Sequence, residues 1–197
     1  MNAQSSDCRD FALAAARHAA AVANYCDHVE HNEVVATGWV IGAGDGLRQL
    51  ALDFAARANV DLLALYADRL EMIEAKNVLA RPDSFDGGAA ADSAATWREL
   101  QLVQAEHDRV YHPDVVGLSK VEQLRHYALH LTKIVGAFAA CAGGLVDAEE
   151  IGVRRLPDTL LFAIKLHTVM GAPLPEQPLP RQAATSRASA TLTSLRT

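Results

Sequence analysis

The chain has 197 residues, the length of one domain or of one domain with a tail. Half of it is hydrophobic, which excludes a globally disordered chain; only 6% is aromatic, so alanine and leucine must build the core, favouring packed helices over a β-sandwich. The formal net charge of −6 argues against a generally basic surface for a nucleic-acid polymer or an anionic membrane.

Asp7 to Val29 reads as an amphipathic helix, with Phe11, Ala15, His18, Val22, Tyr25 and Val29 on one face. Gly38, Gly42, Gly44 and Gly46 follow within nine residues, which predicts a short strand or buried turn over Val34 to Ile41. Asp45 is then the expected cap of a helix over Gly46–Ala58. Asp61 to Leu79 is the next helix, with Leu63, Tyr66, Leu70 and Ile73 as its stripe. Arg81 to Ala94, with Pro82, Gly87 and Gly88, reads as a loop.

Trp97, Leu100, Val103, His107 and Val110 mark a helix that Pro113 ends. Ser119 caps a long helix over Lys120–Ala142, closed by Gly143-Gly144. The last helix opens near Pro157 and stops at Gly171. From Ala172 the chain holds four of its seven prolines and no core-forming pattern, which predicts a disordered tail over residues 172–197. The expectation is an all-α, single helical bundle of five to six helices in residues 1–171.

Cys8, Cys26 and Cys141 form no CxxC pair and no disulfide framework, residues 1–10 carry no basic segment leading into an apolar one, and the uncharged stretch Ile134–Val146 is too short for a bilayer. A cytoplasmic protein with no membrane partner is the reading.

Histidines carry the clearest chemical signal. His126 and His130 are one helical turn apart, a spacing at which two imidazoles can ligate one metal ion. His107 lies on the stripe of the Trp97 helix, and Glu71 and Glu74 share one side of theirs. If three helices converge, His107, His126 and His130 supply a divalent metal, with Glu71 and Glu74 as catalytic oxygen ligands or bases. The competing reading makes His18 and His167 core residues and Glu71 and Glu74 solvated acids beside Arg69 or Lys76. Arg154 and Arg155 can hold a substrate phosphate or neutralise Glu149 and Glu150. Gly42-Ala43-Gly44-Asp45-Gly46 lacks both the Walker ending and the third glycine of a dinucleotide fingerprint, so an ordinary turn is expected there.

The segment His130-Leu131-Thr132-Lys133-Ile134-Val135-Gly136-Ala137-Phe138-Ala139 resembles the metal-binding helix of the MazG-type all-α nucleoside triphosphate pyrophosphohydrolases. Leu156-Pro157-Asp158-Thr159-Leu160-Leu161-Phe162-Ala163-Ile164, with Met170-Gly171, resembles that family's following helix and glycine stop. The family's glutamate positions fall on Lys133, Ile134 and Ala137, and its ExxD becomes Arg155-Leu156-Pro157-Asp158; only Asp158 and Gly136 survive. The resemblance therefore implies an inactive relative, or a metal moved to Glu71, Glu74 and the histidines. The His126/His130 spacing is also similar to that of DinB-type helical metalloproteins, with His107 as the third ligand.

The expected function is a metal-dependent hydrolase of a small phosphorylated compound, a nucleotide being the class the resemblance implies. The alternative is a non-catalytic helical interaction or ligand-binding protein. A homodimer could use the small residues Gly136, Ala137, Ala139, Ala140 and Gly143 for close helix approach.

Overall fold

The computed structural model describes residues 3–77 and 85–181. Among them the chain is all-α, and its β-type pairing is an isolated bridge between Thr96 and Pro178. The helices are α1 (Ala3–Glu30), α2 (Gly38–Ala58), α3 (Leu62–Asn77), α4 (Gly87–Ser93), α5 (Trp97–Tyr111), α6 (Pro113–Val116) and α7 (Lys120–Ala142). A three-residue α8 (Ala148–Glu150) passes through a π-helical turn, Ile151–Arg155, into α9 (Leu156–Val169). Eight helices among the described residues have four residues or more, against the five to six expected. The additions are α4 and α6. No helix among the described residues is long and apolar enough to cross a membrane.

The centre of the bundle is α9, which packs against α2, α3, α5 and α7. Every residue from Leu156 to His167 is buried, as an all-round apolar sequence requires. Three of its polar members have partners, while both ring nitrogens of the buried His167 lack a well-formed hydrogen bond. Asp158 meets Arg69 of α3, Thr159 Oγ1 donates to the Arg155 carbonyl at 2.8 Å, and Lys165 meets Asp108 of α5.

On the other side, α1 lies along α7, with α2 beside α1. Phe11 and Phe138 stack with ring centroids 3.7 Å apart, and Phe54 meets both edge-on at 5.3 Å. The predicted stripes of α1 and α5 face inward, as do Leu124, Tyr127, Leu131, Ile134 and Phe138 of α7, and Ser119 caps α7 by accepting from Glu122 N in a reciprocal capping box.

The glycine-rich stretch departs from expectation. It forms neither strand nor turn: α2 begins at Gly38 and runs through Gly42, Gly44 and Gly46, so Asp45 is an exposed interior residue and not a cap. A Cβ on Gly44 would sit 2.7 Å from His167 Cδ2, and one on Gly46 would sit 2.1 Å from His18 Cε1. These glycines let α2 approach α9 and α1. Each carries a helix-propensity cost of about 1 kcal/mol relative to alanine.

The expected loop over Arg81–Ala94 is helical over Gly87–Ser93, where Asp86 caps α4 by accepting from Ala89 N at 2.8 Å. Residues 78–84, which include the ends of the predicted third helix and of that loop, lie outside the described residues.

The expectation of disorder from Ala172 fails over residues 172–181. This segment runs back across the start of α5 as a strap: Trp97 N and Arg98 N donate to the carbonyls of Gln177 and Pro175, and Leu179 N donates to Ala95 O at 2.9 Å. Leu174 and Leu179 are buried in the core, and Gln101 clasps the strap by accepting from Leu174 N and donating to Ala172 O. Two leucines with local backbone pairing hold it without helical periodicity. Residues 182–197 lie outside the described residues.

Candidate functional site

Helices α5, α7 and α9 converge on one buried pair. Lys165 Nζ lies 2.7 Å from Asp108 Oδ1. Asp108 Oδ1 also accepts from Gln104 Nε2 at 3.0 Å, and Gln104 Oε1 accepts from the buried Tyr66 hydroxyl at 2.5 Å. This chain carries a polar network from α9 through α5 to α3. The ammonium lies over the rings of Phe162 and Tyr127, 5.4 and 5.8 Å from their centroids.

Four histidines lie within electrostatic reach of that ammonium. His126 and His130 sit with ring centroids 4.6 Å apart, both half-buried, and His130 stacks on Phe162 at 4.9 Å. His112, at the junction of α5 and α6, is within electrostatic reach of His107, His126 and His130. His107 is fully buried, and neither ring nitrogen makes a well-formed hydrogen bond.

Burial, helped by the Lys165 charge, disfavours protonation of all four rings. His107 is pushed down to about 3, by burial first and Lys165 second. His130 is pushed down to about 4, by burial first, then by His126 and Lys133. His112 and His126 are lowered by burial and then Lys165, with Asp114 opposing in both cases. All four are neutral imidazoles at pH 7, able to donate at one nitrogen and accept at the other.

Of the two acids expected to join them, only Glu74 reaches one of the rings. Glu74 accepts from Gly87 N at 2.8 Å, a clasp between α3 and α4, and its Oε1 lies 3.5 Å from His107 Nε2. Burial is the main cause raising its carboxyl above the usual range. Glu71 is exposed and lies against Gly88. The five-residue site expected from sequence thus divides into a Glu74–His107 contact and a His126–His130 pair. Among the described residues no group of three or more His, Cys, Asp or Glu could hold a metal ion.

Both Arg154 and Arg155 lie on Glu150, at 3.7 and 3.0 Å, which is the charge-neutralising arrangement. Asp158, the acid retained in the MazG-type alignment, is held by Arg69 Nε at 2.7 Å, with both side chains largely buried. His167 is a core residue as expected, 3.4 Å from Asp45 Oδ1, while His18 lies half-buried against Gly46.

Sequence reasoning missed His112, Asp108 and Lys165. The readable signal was Lys165 itself, a lone cation inside an apolar run that had to be buried on all sides. Comparison with models of known protein families finds no match to this chain, and neither curated proteins nor solved structures match it.

Proposed function

We propose that the protein binds a small phosphorylated compound at the imidazole face of His112, His126 and His130, backed by Lys165. The observation that supports this reading is the 4.6 Å adjacency of the half-buried His126 and His130 rings, with His130 stacked on the same Phe162 ring that the Lys165 ammonium approaches and His112 within electrostatic reach. Phosphate oxygens would accept from ring N–H groups, and an anion there favours the protonated rings that burial and Lys165 disfavour. The MazG-type resemblance makes a nucleoside triphosphate the first probe. Calorimetric titration should show binding that strengthens as pH falls from 7 to 6 and is lost in His126→Ala/His130→Ala. Binding that is unchanged in that double variant would sink the site.

A second reading makes the protein a hydrolase of such a compound, using a divalent metal at His126 and His130. The 4.6 Å ring separation favours it. Two imidazoles leave the remaining coordination positions to water and to the compound's own oxygens, and the metal would supply Lewis-acid charge stabilisation when bound. Elemental analysis of wild type beside the double variant tests it. Equal metal content in the two proteins would remove the site, whatever the outcome of the nucleotide titration.

A further inference from the structure

We infer that Cys8 and Cys141 form an oxidisable dithiol, which a small-molecule disulfide converts into an intramolecular bond joining α1 to α7. Their sulfur atoms lie 3.1 Å apart, about 1 Å beyond bonding distance, although the residues are 133 positions apart in sequence. Beside them Ser5 Oγ donates to the Ala142 carbonyl at 2.7 Å, so the start of α1 is already seated on the end of α7. At the other end of this antiparallel pair, Cys26 Sγ faces the Val121 carbonyl at 3.9 Å. The third thiol therefore has no cysteine partner there and serves as an internal control.

Exposure sets the order of events. Cys141 is half-buried and Cys8 is 1% exposed, so an incoming disulfide such as oxidised glutathione meets Cys141 first. The Cys141 thiolate attacks one glutathione sulfur, forming a mixed disulfide and releasing one glutathione thiolate. Cys8 then attacks the Cys141 sulfur, breaking the mixed disulfide and releasing the second glutathione. The two thiols together lose two protons and two electrons, and one oxidised glutathione becomes two reduced ones. Burial, with the Cys141 contact second, pushes the Cys8 thiol up to about 12. The second step is therefore the slow one.

The full-length protein, folded and incubated with oxidised glutathione at about pH 8, provides the test. The expected product has lost two hydrogens by intact mass and yields one linked peptide pair containing Cys8 and Cys141. Its melting temperature rises by about 10 °C, because the bond closes a long loop, and dithiothreitol reverses the change. Cys26→Ser should behave as wild type, and Cys141→Ala should form no link. A stable glutathione adduct on Cys141 alone, or a link that forms only in urea, would overturn the inference. Peptide mapping of wild type decides this without any variant.

Discussion

Lys165 and Asp108 form an ion pair at 2.7 Å with side chains only 8% and 10% exposed, at the junction of α5 and α9. A charge so placed is tolerable only while its partner is present, because burial removes the water that would otherwise solvate it.

Lys165→Met and Asp108→Leu should each therefore lower stability by about 3–5 kcal/mol, since each leaves one uncompensated buried charge. The double variant should recover much of that loss. Urea unfolding of the four proteins checks this. Additive losses in the double variant would mean that the two side chains act independently.

The glycines of α2 should divide by what faces them. Gly42→Ala meets nothing within 4 Å and should gain up to about 1 kcal/mol from helix propensity. Gly44→Ala should lose stability, because its Cβ would meet the His167 ring at 2.7 Å and the Ala163 carbonyl oxygen at 3.1 Å. Opposite shifts in melting temperature are the expected outcome.

Acid should destabilise the fold well before its carboxylates are protonated. His107 is held down to about 3 in the folded chain, against 6.5 for a free imidazole, so between these values the unfolded chain binds the extra proton. Stability is complete above about pH 6.5 and falls as pH drops toward 3, by at most about 1.4 kcal/mol per pH unit for one such group. His107→Phe should lessen the slope of melting temperature against pH between about 6.5 and 4.5, whatever it does to stability at neutral pH.

The strap should matter as much as a helix. Leu174→Ala, at a site 3% exposed, should cost about 2–4 kcal/mol, and Gln101→Ala should cost less while loosening the same segment. Denaturant unfolding gives the magnitudes. Faster amide exchange at Leu179, whose N–H pairs with Ala95, would report the loosening.

Apart from the first turns of α2, the long helices were legible because their signals are local. Ser119 with Glu122, the stripe from Leu124 to Phe138, and Gly171 at positive φ depend only on neighbours along the chain. What sequence missed depends on partners far away. Gly44 and Gly46 look like breakers until His167 and His18 are placed against them. Pro173 to Pro180 looks unstructured until Gln101 and Trp97 receive it. The site follows the same rule. The His126–His130 adjacency was readable from a four-residue spacing, whereas Lys165, Asp108 and His112 join it only through helix packing. Glu71 shares its own helix side with Glu74, yet it ends outside the buried contact that Glu74 makes with His107.

The stacked rings of Phe11 and Phe138 have a consequence for how the chain is made. A ribosome adds about 5–20 residues each second, so roughly 6–25 s separate the emergence of the two phenylalanines. Phe54, the T-shaped partner of Phe11 at 5.3 Å, is made well before Phe138. The Phe11 ring face that Phe138 covers has no stacking partner until α7 is made, so during that interval it is apolar surface open to chaperones or to other chains.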